Sequence, residues 1–242
     1  MKKFFALVLS LCMMMSVASI AASAATVTPV TPVTPVTPVT PVDPVDPVDP
    51  INPGASGGSS TVEPTPALPF ADVAETAYYY DAVLWLLENG ITEGVTATSF
   101  EPSSGCTRAQ MVTFLWRAAG SPEPTATSAD FSDVSASAYY YKAILWAIEK
   151  GITNGMTDTT FAPDQICTRG QMAAFIYRHA GSPAISAGHN FADVSEDNYF
   201  DAAVAWLLGE KITNGTSDTT YSPYNNCTRG QMAAFLYRYF AA

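Results

Sequence analysis

The feature that most limits what this chain can fold into is a block that occurs three times with its polar residues in the same register. It reads PFADVAETAYYYDAVLWLLENGITEGVTATSFEPSSGCTRAQMVTFLWR from Pro69, and returns as DFSDVSASAYYYKAILWAIEKGITNGMTDTTFAPDQICTRGQMAAFIYR from Asp130 and as NFADVSEDNYFDAAVAWLLGEKITNGTSDTTYSPYNNCTRGQMAAFLYR from Asn190. The spacing from Phe70 to Arg108 is kept from Phe131 to Arg169 and from Phe191 to Arg229. A period of about 60 residues without internal gaps means one architectural unit built three times. One enzyme active site does not need triplicate chemistry, whereas a multivalent binding module does.

Within each block the apolar pattern is helical. In the first, Ala82, Trp85, Leu86 and Asn89, flanked by Val83 and Leu87, follow i, i+3, i+4 spacing. Gly90 and Gly151 should end this first helix as left-handed caps. The third block has Lys211 there, with Gly209 two residues earlier, so its helix end is expected to differ. A turn-rich loop from Ile91 to Gly105 follows, closed by Phe100-x-Pro102 (Phe161-x-Pro163, Tyr221-x-Pro223). A second helix is expected from Thr107 to about Ala118, with Met111, Phe114 and Leu115 on its core face. One such repeat buries too little surface to stand alone, but three docked together share a core. The expected fold class is therefore all-α: three helix–loop–helix repeats packed as a pseudo-threefold unit, over residues 69–129, 130–189 and 190–242.

Ahead of the repeats, Lys2, Lys3, an apolar run from Phe4 to Ile20 and Ala22-Ser23-Ala24 read as a secretory signal peptide over residues 1–24. Leu11 is too large for the small residue that precedes a lipid-anchored cysteine, which argues against such a role for Cys12. No later segment approaches the roughly 20 apolar residues of a membrane helix, so no membrane contact is expected of the mature form. Residues 25–68 form a linker. From Thr28 to Ile51 it consists of x-Pro-Val/Ile triplets, a pattern that excludes helix and sheet and favours a polyproline II rod roughly 75 Å long. No second folded domain is expected in this stretch.

Cleavage would remove two of the 11 basic residues and no acidic one, taking the formal net charge from −11 to −13. Such a chain repels nucleic acid and anionic lipid at long range, so an anionic partner must be captured at local cationic sites. Cys106, Cys167 and Cys227 recur once per repeat and read as small buried hydrophobes, with intermolecular disulfides as the alternative. His179 and His189 are not equivalent positions, and no zinc spacing is present. Neither a metal nor another cofactor is expected.

The sharpest local signal is Thr107-Arg108-Ala109-Gln110, with Thr168-Arg169-Gly170-Gln171 and Thr228-Arg229-Gly230-Gln231. Threonine with glutamine three residues on is a capping box, which explains both residues structurally. The arginine is left over, because a cation in the first helical turn opposes the helix dipole. Arg108, Arg169 and Arg229, each beside the free N–H groups of a helix start, are candidate anion sites. The alternative is pairing with Asp72, Asp133 or Asp193. The later arginines, Arg117, Arg178 and Arg238, lie on the opposite side of the same helices and suit the helix C-terminus. Tyr78, Tyr139 and Tyr199 are either core or sugar-contacting rings. Gly94, Gly155 and Gly215 point to positive φ or a close backbone approach.

These motifs resemble the S-layer homology family: F-x-D-V at each repeat start, an aromatic-rich first helix, G-I-T-x-G, T/S-F-x-P and T-R-A/G-Q. The resemblance covers Phe70 to the C-terminus. It implies a three-pronged α-helical domain that holds proteins non-covalently on secondary cell-wall polysaccharide, often pyruvylated. It assigns the carbohydrate site to Arg108, Arg169 and Arg229, to Asp72, Asp133 and Asp193, and to Gly94, Gly155 and Gly215; the tyrosines Tyr78, Tyr139 and Tyr199 stand where the family often has tryptophan. Gln110, Gln171 and Gln231 replace the family's usual glutamate, and Lys211 marks the third site as the one expected to be altered. The expected protein is non-catalytic, exported to the cell wall, and a binder of anionic polysaccharide. The alternative is a surface-coat protein whose repeats contact other proteins. No G-x-S-x-G or H-E-x-x-H motif suggests an enzyme, and the sequence leaves the oligomeric state open.

Overall fold

The structure, a computed structural model, describes residues 68–241. The signal peptide and almost all of the linker fall outside the described residues. Six helices follow one another: α1 (Tyr80–Glu88), α2 (Arg108–Ala118), α3 (Tyr141–Glu149), α4 (Arg169–His179), α5 (Asp201–Gly209) and α6 (Arg229–Phe240). Only isolated bridges, such as Thr96 with Ser99, accompany them among the described residues, so the unit is all-α.

Each first helix ends in the same way. The C-cap of α1 is Asn89, and Gly90 follows in the left-handed region at φ 65°. Gly90 N donates to Leu87 O, and Ile91 N reaches back to Leu86 O, the Schellman arrangement with buried Ile91 over buried Leu86. The α3 end repeats this through Gly151 and Ile152. So does α5, contrary to the expectation from its sequence. Lys211 itself adopts φ 59°, and Lys211 N and Ile212 N donate to Leu208 O and Leu207 O. The hydrogen bonds and the buried isoleucine fix the turn, and lysine tolerates the unfavourable φ there.

The helices do not pair within a repeat. Helix α2 packs on α3, α4 on α5, and α6 returns to α1, so every prong combines the second helix of one repeat with the first helix of the next. On the pseudo-threefold axis the three cysteines form a closed backbone ring. Cys106 N donates to Cys227 O at 2.9 Å, Cys167 N to Cys106 O at 2.8 Å, and Cys227 N to Cys167 O at 2.8 Å. None of the three cysteines is in a disulfide, and all three are fully buried. Leu86, Ile91, Phe100, Met111 and Leu115, with their counterparts in the other repeats, complete the core.

Candidate functional site

The three second helices begin with the expected capping box. Thr107 Oγ1 accepts from Gln110 N at 3.2 Å, and Gln110 Oε1 accepts from Thr107 N at 3.0 Å; the pair recurs at Thr168–Gln171 and Thr228–Gln231. The remaining donors of the turn are not free, as an anion site there would require. Arg108 N donates to Gln165 O and Ala109 N to Pro163 O, both in the next repeat. The start of α4 is closed in the same way by Asn225 and Pro223, and that of α6 by Ser104 and Pro102. All the orphan N–H groups of these helices are thus occupied by protein.

The arginines are equally engaged. Arg108, Arg169 and Arg229 are only 2%, 4% and 3% exposed. Their Nε atoms donate across repeats to Phe161 O at 2.9 Å, Tyr221 O at 2.9 Å and Phe100 O at 2.7 Å. Each guanidinium carbon lies 4.6–4.7 Å from the ring centroid of the same acceptor residue. A second ring, Phe175, Phe235 or Phe114, stands 5.4–5.5 Å away. This aromatic enclosure explains why a cation disfavoured by its helix dipole is kept. Burial pulls the pKa of Arg108 and Arg229 down, against the nearby thiols, tyrosines and carboxyls that raise it. The Nη2 atoms of Arg108 and Arg229 are buried with no hydrogen-bond partner among the described residues.

Among the described residues the aspartates form no ion pair with these arginines. Asp72 instead accepts from Ser99 Oγ at 2.7 Å, Phe100 N at 2.9 Å and Glu101 N at 2.7 Å. Asp133 holds Phe161 N and Ala162 N, and Asp193 holds Tyr221 N and Ser222 N. The second residue of each pair has a positive φ of 56–57°. Each aspartate therefore clamps a strained turn whose carbonyl receives the arginine.

The glycines Gly94, Gly155 and Gly215 have φ of 83°, 91° and 89°, and a Cβ on Gly94 would stand 2.5 Å from the Phe70 ring. Positive φ and close approach, the two readings of this position from sequence, apply together. The tyrosines separate from the core: Tyr78, Tyr139 and Tyr199 are 47%, 61% and 61% exposed, each edge-on to its inward neighbour Tyr79, Tyr140 or Phe200.

The arginine, glycine and tyrosine columns converge between repeats, whereas the aspartates hold the turns and are not in the cleft lining. A cleft of about 250 Å³ is lined by Gly94 and its neighbours in the first repeat, by Gln110, Thr113 and Arg117 of α2, by Tyr139 of the second repeat and by Arg229 of the third. All three repeats contribute to this one cleft. Its equivalent brings Tyr199 into the field of Arg108 and Arg178. Sequence reasoning places the two arginine columns on opposite helix faces and so in different roles. Because neighbouring repeats interleave, Arg229 enters the cleft from behind as Arg117 faces it from α2. Arg117 Nη1 also donates to Ile91 O at 3.0 Å, anchoring the loop that carries Gly94. No local pattern marks Arg117 as a cleft residue, since its partner comes from another repeat.

The profile of the S-layer homology domain matches residues 69–112, 130–173 and 190–233. An endoglucanase of Bacillus sp. (strain KSM-635) is 32% identical over 177 residues, 70% of this chain and 18% of that protein. The surface-layer 125 kDa protein of Lysinibacillus sphaericus is 29% identical over 67% of the chain and 14% of its own length. A cellulosome-anchoring protein of Acetivibrio thermocellus is 24% identical over 60% of the chain and 34% of that protein. The chain thus spans about a third or less of the length of these curated relatives.

Proposed function

The chain belongs to the S-layer homology family, and from that membership we propose that its three-repeat unit is a non-catalytic anchor that binds an anionic secondary cell-wall polysaccharide in the clefts between repeats. The coarser part, attachment at the cell surface, goes with the family and with the surface-layer and anchoring relatives. One observation carries the finer part: a cleft to which all three repeats contribute, with two arginines, an exposed tyrosine and a glycine-bearing loop. An acidic substituent such as a pyruvyl ketal meets the arginine pair by charge and hydrogen bonding. The tyrosine offers an apolar face and a hydroxyl to the sugar ring. With a formal net charge of −11, the chain supplies no long-range attraction, so the two local cations must capture the anion.

Cosedimentation with cell walls stripped of protein, before and after the polysaccharide is extracted, tests the reading. Binding should disappear with the polysaccharide. Undiminished binding to extracted walls, or none to either preparation, contradicts it.

A further inference from the structure

The three clefts are not equal. The residue after the proline of each F-x-P turn is Ser103, Asp164 and Tyr224. Tyr224 is 69% exposed, more than the cleft tyrosines themselves. It stands edge-on to Phe200 at 5.7 Å and 78°, and Tyr199 stands edge-on to the same ring at 4.9 Å and 75°. Two exposed rings are thus fixed on one buried one, and Tyr199 and Tyr224 lie within electrostatic reach of each other.

The platform is held in place. Asn198 Nδ2 donates to Tyr224 Oη at 3.4 Å while Asn198 Oδ1 accepts from Ser195 N at 2.9 Å. The carbonyls on either side of Tyr224, of Pro223 and Asn225, accept from Gly170 N and Arg169 N. A rigid aromatic with polar groups at its edge is suited to a pyranose ring, whose C–H face stacks while its hydroxyls hydrogen-bond.

Charge separates the clefts in the same direction. The cleft of Tyr139 carries Glu93 on its wall, and Asp164 acts electrostatically on the adjacent Tyr140. At the corresponding places the cleft of Tyr199 has Asn154 and Tyr224. An anionic polymer is repelled by the first pair and not by the second.

We propose that Tyr224 extends the cleft of Arg108 and Tyr199 into a second sugar-ring subsite, so that this cleft holds two consecutive residues of an anionic polysaccharide while its two counterparts hold one. The inference rests on the polysaccharide reading above. Its test uses the full chain with two defined probes, a pyruvate-ketal hexopyranoside and a disaccharide ending in that sugar. The amide signals of Gly155, Gly94 and Gly215 report the three clefts separately by NMR. At Gly155 the disaccharide should bind about fivefold to tenfold more tightly than the monosaccharide, and at Gly94 and Gly215 about equally. Tyr224→Ala should abolish the advantage at Gly155 without changing monosaccharide binding, and Tyr224→Phe should keep most of it. An advantage that survives Tyr224→Ala, or is the same in all clefts, overturns the proposal alone. Failure of both probes to shift any of the three glycines overturns it together with the polysaccharide reading.

Discussion

Arg229 Nε donates to the carbonyl of Phe100 across 129 residues of chain, at 2.7 Å, and so ties the last repeat to the first. The same bond joins Arg108 to Phe161 and Arg169 to Tyr221, which makes the arginines latches of a closed ring as well as cleft residues. Their truncation is therefore not a clean binding test.

Arg229→Ala should lower the stability of the repeat unit by about 3 kcal/mol, because the charge-assisted hydrogen bond to Phe100 and the attraction of the cation to two aromatic rings go with the side chain. Chemical denaturation should show a lower midpoint with an unchanged slope. A stability equal to that of the parent would mean that the ring does not depend on this latch.

Asp72 contributes to the acid limb of stability. Burial raises its pKa, but hydrogen bonds from Phe100 N, Ser99 Oγ and Glu101 N outweigh that and hold it below the ordinary 3.8. A carboxyl whose folded pKa is depressed contributes stability that is fully present above its unfolded value and is lost as pH falls through the folded one. The unit should therefore lose stability below about pH 4. Asp72→Asn should flatten that limb and cost stability at pH 7, as read from denaturation midpoints across pH.

Lys211 occupies a left-handed position that its counterparts Gly90 and Gly151 fill without strain. Lys211→Gly should raise stability by about 0.5–1 kcal/mol, the relief of strain exceeding the added chain entropy. Thermal unfolding measures it, and a fall in the midpoint would show that the lysine side chain does more than adopt the turn.

The cysteines should resist modification. Burial pushes the thiols of Cys106 and Cys167 up, reinforced by their neighbouring cysteines, so little thiolate forms near neutral pH. Labelling with a thiol reagent at pH 8 should proceed at the rate of global unfolding, and rapid labelling of any of the three in the folded protein would contradict their place on the axis.

What is legible in the sequence is local. The repeat register, the capping boxes and the glycine at each loop depend on residues a few positions apart, and the structure has each of them where the sequence puts it. The first-turn arginines are not legible in this way. Their partners lie 52 to 129 residues away, and the turn whose N–H groups are free within its own repeat is closed by the next one. Arg117 reads as a helix-end charge for the same reason: Arg229 joins it in the cleft only when the repeats interleave. Lys211 misleads in the opposite sense, since the surrounding hydrogen bonds impose the glycine-like turn on it. Inequality among the clefts is carried by Glu93, Asp164 and Tyr224, which no repeat motif contains.

The central claim is that the inter-repeat clefts bind wall polysaccharide, and the exposed tyrosines test it most directly because they lie outside the buried core. The triple variant Tyr78→Ala, Tyr139→Ala, Tyr199→Ala should keep its thermal midpoint within a few degrees while its binding to protein-free, polysaccharide-bearing walls falls at least about tenfold. Wall binding equal to that of the parent chain, in a variant shown to be folded, would contradict the account.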